Sequence, residues 1–218
     1  MSTTVKYMTI VEPVFEVSFV GTAKRSVWQA GLKDDGLLLP QGQDEVQVIL
    51  SAVETTYMGI RFRELSLSLL LDDTQALMVH AFNSHPAFAF VEQRFFKTPY
   101  FYADVTFSER RISVRQKGRP LFEAALPESA VIAASRDECS ERKIWLTRSA
   151  QTESRHYFFA RLEGHADYYQ PAGASVQFLD GAALNPSFDL LRQSNFQISG
   201  WLVRQRGRHS KSKTFTQG

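Results

Sequence analysis

The sequence has very little cysteine: Cys139 is the only one in 218 residues. A disulfide within the chain is therefore excluded, which favours a reducing compartment. The neighbouring residues include Asp137, Glu138 and Glu141. Negative charge nearby disfavours the thiolate that a nucleophilic cysteine needs, so we expect Cys139 to have no catalytic role.

Long hydrophobic runs and a strong net charge are also missing. No stretch approaches the roughly 18 apolar residues of a membrane span. The N-terminal segment contains acids and a proline where a signal peptide needs an unbroken apolar run. The net charge of +2 gives no general reason to expect binding to nucleic acid or membranes. We therefore predict a cytoplasmic protein.

Recognisable catalytic and cofactor motifs are absent as well. The sequence contains no G-x-S-x-G, no P-loop and no dinucleotide-binding fingerprint. His80 and His85 are close in sequence, but no third ligand follows at a spacing that metal sites use. We predict no metal and no cofactor.

Phenylalanine, by contrast, is abundant, with 17 residues, and hydrophobic residues make up 44% of the chain. Phe carries no polar group, so most of these rings belong in a core or around an apolar ligand cavity. A chain of this length and composition can bury one large core. We predict a single domain at residues 1–203 and a C-terminal tail at 204–218.

Alternation of polar and apolar residues predicts a mainly β fold. It is clearest at 60–71, where Leu65, Leu67 and Leu69 alternate with polar residues. The frame slips near Glu64, which predicts a bulge there. Strands are also expected at 45–53, 76–82, 100–107, 112–116, 121–126, 143–147, 157–162, 175–179 and 196–203.

One long segment has helical spacing instead. A proline stands near the start of residues 85–96, and Phe88, Val91 and Phe95 follow with a period close to 3.6. The helix should end before Pro99, because a residue that precedes proline is pushed out of the helical region. This is the main helix that the sequence predicts.

The remaining segments complete the predicted architecture. Asn185-Pro186-Ser187 caps a short helix near 186–193. Residues 33–43, which contain glycines and a proline, are predicted as a loop with a short extended piece, and 117–120 as a hairpin turn. About ten strands with regular turn signals favour a curved β-barrel with one main inserted helix.

A group of motifs between these elements points to a known family. Phe62-Arg63-Glu64 opens a hydrophobic strand, a second strand follows at 76–82, and the helix leads into Arg94–Ala103 (RFFKTPYFYA). This order resembles the acetoacetate decarboxylase-like superfamily, in which an aromatic-x-Glu strand precedes a Pro-Lys motif. Pro99 matches the family proline, so Tyr100 falls on the Schiff-base lysine. An uncharacterised bacterial branch of the superfamily also has tyrosine there.

The resemblance implies a β-barrel with a ligand cavity but not the parent reaction. The family lysine forms an imine with a keto acid, and a phenol cannot do so. Lys97 lies three residues before Tyr100 and would point to the opposite face of an extended chain. We therefore expect a protein that binds a small carboxylated ligand without Schiff-base decarboxylation. If it is an enzyme, the resemblance implies a lyase-like activity.

The resemblance also supplies candidate site residues. Glu64 and Tyr100 are the candidate catalytic groups, because a buried carboxylate has a raised pKa and a phenol can hydrogen-bond a carbonyl or carboxylate. Arg94 could hold a ligand carboxylate through two hydrogen bonds. The candidate ligand-binding residues around the pair are Phe62, Arg94, Pro99 and Tyr102.

Simpler interpretations of these residues stay open at this point. Glu64 could form an ordinary ion pair with Arg61 or Arg63 on an exposed sheet. Tyr100 could be a core aromatic residue, and Arg94 a solvated helix residue.

The predicted tail supports a second hypothesis. No acidic residue follows Asp189, whereas the basic residues there are Arg192, Arg204, Arg206, Arg208, Lys211 and Lys213. Such a segment is typical of a flexible end that contacts phosphates electrostatically, although a solvated terminus is the simpler interpretation. The alternative function is therefore an interaction protein that contacts nucleic acid or an acidic partner through 204–218. The resemblance also implies a homo-oligomer.

Overall fold

The structure is a computed structural model that describes residues 5–33, 39, 44–147 and 154–217. Strands dominate these residues, so the predicted mainly β fold is confirmed. Most of the predicted loop at 33–43 lies outside the described residues. Among the described residues, none of the helices has the length and apolar character that crossing a membrane would need.

The elements follow one another along the chain. The strands are β1 (Tyr7–Lys24), β2 (Glu45–Tyr57), β3 (Ile60–Leu70), β4 (Gln75–Asn83), β5 (Tyr100–Tyr102), β6 (Asp104–Ser108), β7 (Arg111–Gln116), β8 (Arg119–Ala125), β9 (Ile132–Leu146), β10 (Arg155–Tyr169), β11 (Ser175–Phe178), β12 (Gln197–Ser212) and β13 (Phe215–Gln217). The helices are α1 (Arg25–Gly31), α2 (Pro86–Phe95) and α3 (Pro186–Gln193), with a 3₁₀ turn at Ala182–Leu184.

The larger sheet closes on itself. Its strands pair in the order β12-β1-β2-β3-β4-β9-β10, and β10 pairs in turn with β12, which makes a ring. All neighbours in this ring are antiparallel except β4 and β9, which are parallel. Because the sheet closes, each strand of the ring pairs with a neighbouring strand on both sides. The closed sheet surrounds the inward-facing side chains.

A second, four-stranded sheet covers part of the outside of the ring. It has the order β11-β8-β7-β6, and it shares one hydrophobic core with α3 and the outer faces of β1, β2 and β3. The rings of Phe19 and Phe122 lie 6.0 Å apart in this core, and those of Phe122 and Phe188 lie 5.6 Å apart. Leu65, Leu67 and Leu69 face this core, so the serines between them face inward.

Several predicted boundaries need correction. The predicted bulge near Glu64 is wrong, because β2 and β3 pair without a shift there. The register between β3 and β4 shifts after Leu67, where Val79 is an extra residue in β4. The predicted strand at 100–107 is two strands, β5 and β6, which belong to different sheets. The bounds of β2, β4 and α3 agree with the prediction to within a few residues, and Asn185 caps α3 by accepting a hydrogen bond from Phe188 N.

Two long strands were missed or shortened for a physical reason. The pairing of β1 with β12 has several register shifts, which break the alternation that identifies a strand. In β9, residues 135–142 are almost entirely polar and half-buried or exposed, so they carry no apolar signal. The helix α1 was likewise not predicted.

The prediction of a flexible tail at 204–218 is wrong for the described residues. Residues 204–212 continue β12, which pairs with both β1 and β10, and 215–217 form β13 beside β10. Arg204 is 2% exposed, and Lys211 lines the interior of the ring. The hypothesis of a flexible basic arm for nucleic acid therefore loses its structural basis.

The helix α2 connects β4 to the parallel strand β5. Pro86 occupies its first turn as predicted, and Asn83 Oδ1 accepts a hydrogen bond of 2.7 Å from His85 N just before it. The apolar face differs from the prediction, because Phe88 and Val91 reach the interior of the ring whereas Phe95 is 68% exposed.

Candidate functional site

The ring and α2 line a cavity of about 650 Å³. Its wall is formed by alternate residues of every strand in the ring, as the two-residue period of a β-strand requires. Apolar side chains include Val53, Phe62, Met78 and Phe158. Hydroxyl groups come from Ser18, Ser51, Ser66, Ser68, Ser140 and Ser210. An apolar wall with a few polar groups is typical of small-molecule sites.

Glu64 and Tyr100 meet in this wall. The Tyr100 hydroxyl donates a hydrogen bond of 3.0 Å to Glu64 Oε2, and Asn83 Nδ2 donates one of 2.8 Å to Glu64 Oε1. Burial raises the pKa of Glu64 to about 7, and the charge of Glu92 adds to the rise, while Lys211 and the two hydrogen bonds oppose it. Burial, together with Glu64 and Glu92, raises the pKa of Tyr100 well above its usual value, so this phenol keeps its proton.

The local structure explains why Tyr100 faces inward. β5 lies parallel to β4, with Tyr100 opposite Ala81 and the Pro99 carbonyl accepting a 2.9 Å hydrogen bond from Ala81 N. Successive side chains of a strand alternate, so Phe101 points to the other side, where it stacks on His80. The predicted inward position of the residue after Pro99 is what the structure shows.

Two charged residues that sequence analysis missed complete this part of the cavity. Lys211 on β12 donates a hydrogen bond to the carboxylate of Glu92 on α2. Thr98 holds the same carboxylate, because its hydroxyl lies 2.7 Å from Glu92 Oε2 and 2.9 Å from the Glu92 carbonyl oxygen. The Lys211 ammonium lies 4.7 Å from the ring centres of Phe96 and Phe158. We call Glu64, Glu92, Tyr100 and Lys211 the Glu64 cluster.

A second buried ionic group, here the Arg204 cluster, consists of Glu16, Glu138, Arg204 and His209. Arg204 donates to Glu16 and, over 2.8 Å, to Glu138 Oε2, and His209 Nε2 lies 3.2 Å from Glu16 Oε2. Burial alone would raise the pKa of Glu16, but the hydrogen bond and charge of His209, the charge of Arg204 and a hydrogen bond from Ser18 lower it to about 2. The sequence contains one signal for these inward-facing charges. His209 and Lys211 are two residues apart, which places both on one face of a strand.

The structure separates the other predicted site residues. Phe62 lines the cavity beside Glu64, whereas Arg94, Pro99 and Tyr102 are not among the described residues that line it. Arg94 is exposed, because a residue two positions after the inward-facing Glu92 lies on the opposite side of a helix. Tyr102 is 51% exposed. The predicted inward positions of Arg94 and Tyr102 are therefore wrong.

The simpler interpretation of Glu64 as an exposed ion pair does not hold. Arg61 and Arg63 pair with Glu54 on the neighbouring strand, where Arg63 Nε lies 2.6 Å from Glu54 Oε2. Glu64 points to the other face of the sheet and into the cavity. Its hydrogen-bond partners are the neutral side chains of Asn83 and Tyr100.

Comparison with solved structures identifies the fold. Acetoacetate decarboxylase from Legionella pneumophila superposes with a TM-score of 0.62 at 12% identity, over 100% of this chain and 92% of that one. The enduracididine biosynthesis enzyme MppR gives 0.62 at 11% identity, over 99% and 91% of the two chains. An acetoacetate decarboxylase-like enzyme from Sphingomonas wittichii gives 0.59 at 9%, over 94% and 92%.

No family model and no curated protein matches the sequence. The likeness in structure extends over nearly all of both chains, and it agrees with the resemblance that the motifs around Glu64 and Tyr100 indicated. This chain therefore has the acetoacetate decarboxylase-like fold.

Proposed function

We propose that the cavity binds a small organic ligand that carries a carboxylate, and that it does so without forming an imine at position 100. The observation that carries this proposal is the hydrogen bond between Tyr100 and Glu64 in the wall of a largely apolar cavity. Apolar side chains such as Phe62 and Phe158 offer a surface for the body of the ligand. The polar groups offer donors and acceptors that fix its orientation.

Within this pair, Glu64 can exchange a proton with a bound ligand. Burial and Glu92 raise the pKa of Glu64 to about 7, so this carboxyl is available in both forms near neutral pH. A group with a pKa near the working pH is suited to general acid or base catalysis. If the protein is an enzyme, Glu64 would supply the proton transfers of a lyase-like reaction, and the Tyr100 hydroxyl would take part as a hydrogen-bond donor. MppR, which shares the fold, is described in complex with a condensation product of pyruvate and imidazole 4-carboxaldehyde.

The first test is direct binding of small carboxylic acids. A panel of aliphatic, aromatic and keto acids would be screened by ligand-observed NMR, with competition between hits to show that they share one site. We expect Phe62→Trp, which fills part of the cavity, to abolish binding, and Tyr102→Phe, which changes an exposed residue, to leave it intact. A complete absence of binding among such acids would refute the proposal.

The second test concerns covalent chemistry. Lys211 is the lysine that lines the cavity among the described residues. Treatment with pyruvate or acetoacetate and borohydride is expected to leave the mass of the protein unchanged. A reduced adduct mapped to Lys211 by peptide mass spectrometry would show that an imine does form, at Lys211 on β12 and not at position 100 on β5.

A further inference from the structure

The Glu64 cluster combines one cation, Lys211, with two carboxylates, Glu64 and Glu92. Lys211 is bonded to Glu92, and it also acts electrostatically on Glu64, whose carboxyl group is turned toward Tyr100. Resting on the proposed function, we propose that Lys211 is the anchor for the ligand carboxylate and that Glu64 takes up a proton when this anion binds.

Lys211 is the cavity cation with free bonding capacity near Glu64. An ammonium group has three donors, and Glu92 is the carboxylate partner that the described residues give it. Arg204, by comparison, already serves the carboxylates of Glu16 and Glu138. Arg136 also pairs with Glu138.

Arg142 is the remaining cation in the wall. It lies in the same row as Lys211, with Ala160 of β10 between them, and its Nε reaches the Asp73 carbonyl oxygen at 3.4 Å. Asp73 belongs to the turn between β3 and β4. Arg142 is therefore directed toward the turn that follows β3, away from Glu64, which leaves Lys211 as the anchor.

Charge balance explains why a proton must accompany the anion. The charged groups that act on Glu64 are Glu92 from α2 and Lys211 from β12, while Tyr100 from β5 and Asn83 from β4 face it as neutral hydrogen-bond donors. With both glutamates ionised, the cluster carries one net negative charge and repels an anion. With Glu64 protonated, the cluster is neutral, and its carboxyl proton becomes a further donor for the ligand.

The neighbouring strand β2 adds no charge to this balance. Its nearest carboxylate, Glu54, points to the other face of the sheet and is neutralised by Arg61 and Arg63. The effect of a proton on Glu64 is therefore local to the cluster. Burial favours the neutral form of the Glu64 carboxyl, so this group can take up a proton near pH 7.

Calorimetry with phenylacetate tests the proton uptake. This probe has an apolar ring. Its carboxyl is ionised between pH 6 and 8, because ordinary carboxyls have a pKa of about 4. Titrations in buffers of different ionisation enthalpy would measure protons taken up on binding. We expect affinity to fall as pH rises, approaching about tenfold per pH unit toward pH 8, and proton uptake to be largest there.

The variant Glu64→Gln separates this effect from others. It is permanently neutral, so we expect it to bind phenylacetate with an affinity that does not change across the same pH range and without proton uptake. Binding by the unaltered protein that is independent of pH would overturn the inference and leave the proposed function standing. No binding of phenylacetate at any pH would overturn the inference, and the panel of carboxylic acids then decides separately whether the proposed function stands.

Three further variants test the anchor. We expect Lys211→Met to weaken phenylacetate binding by about tenfold or more, as the loss of a charged hydrogen bond implies. Glu92→Gln should tighten binding, because it removes the carboxylate that competes with the ligand for Lys211. Lys213→Met is the matched control, since Lys213 does not line the cavity in the described structure, and it should leave affinity unchanged.

The opposite signs of two of these effects make the test decisive. A merely structural Lys211–Glu92 ion pair would give weaker binding in both Lys211→Met and Glu92→Gln, and that result would overturn the anchor. Thermal unfolding of each variant, measured alongside, shows whether the cavity remains folded.

Discussion

Glu16 and Glu64 show how strongly surroundings decide the chemistry of one residue type. Both glutamates face the cavity, and the register places them in one row, with Val53 of β2 between them. Two strand spacings separate their backbones by about 10 Å. Contacts with His209 and Arg204 lower the pKa of Glu16 to about 2, whereas burial and Glu92 raise that of Glu64 to about 7. Two carboxyls whose pKa values are shifted in opposite directions are typical of sites with distinct acid and base roles.

At Tyr100 the hydrogen bond to Glu64 stabilises the ionised carboxylate and so lowers its pKa. We expect Tyr100→Phe, which removes this bond, to raise the pKa of Glu64 further above its usual value. Carboxyl-carbon NMR of the protein labelled at glutamate would measure the titration. Tyr102→Phe is the control, because Tyr102 does not contact Glu64, and an equal shift in both variants would contradict the assignment.

On the scale of elements, β12 connects the two ionic clusters. It supplies Arg204 and His209 to one and Lys211 to the other, and its pairing with both β1 and β10 fixes where these side chains enter the ring. The strand passes Arg204 very closely at Gly207, where an added Cβ would lie 2.7 Å from Arg204 Cδ. A side chain at 207 would therefore displace the buried arginine.

Two glycines of this strand give a matched pair of variants. We expect Gly207→Ala to lower the free energy of unfolding by about 1–3 kcal/mol, as overpacking in a core does. At Gly200 an added Cβ meets no atom within 4 Å, so Gly200→Ala should change stability by less than about 1 kcal/mol. Urea unfolding measures both, and similar losses at the two positions would show that the contact with Arg204 is not the cause.

The crossover through α2 positions the other half of the Glu64 cluster. Glu92 faces inward from this helix, Thr98 fixes its carboxylate, and the chain then enters β5 with Tyr100 pointing to the same cavity. Lys97, between them, has a φ of 59°, in the left-handed region that commonly ends a helix. The short distance along the chain from Glu92 to Tyr100 is why this half of the site has a local sequence signal.

For the molecule as a whole, the two glutamates give stability an opposite dependence on pH. Glu64 titrates near 4.5 when unfolded and at about 7 when folded. The unfolded state therefore binds fewer protons between these values, and stability falls as pH rises from about 4.5 to 7, by about 3 kcal/mol in total. Glu16, with a folded pKa of about 2 against 4.5, contributes stability that is present above pH 4.5 and lost as pH falls toward 2.

Unfolding experiments separate the two contributions. We expect Glu64→Gln to remove most of the decline in the free energy of unfolding between pH 5 and pH 8, while the loss of stability below pH 4.5 remains. Urea unfolding at a series of pH values is the measurement. Glu128→Gln, at a side chain that is 94% exposed, should preserve the full profile. A decline that persists in Glu64→Gln would place its origin in another group.

The sequence alone determined the β class, the helix α2, and the neighbourhood of Glu64 and Tyr100. These features depend on local order: strand periodicity, a proline at a helix start, and motifs on β3, α2 and β5 that are consecutive or nearly so. Arg94 was misplaced because a helix rotates about 100° per residue, so a shift of two positions reverses its side.

Tertiary structure alone decided the rest. Lys211 and Arg204, more than a hundred residues from Glu64 and Glu92 in sequence, enter the cavity because β12 closes the ring between β1 and β10. A run of basic residues looks like a solvated tail when no partners are known. Alternation along a paired strand instead turns some of its side chains inward, where buried carboxylates compensate their charge.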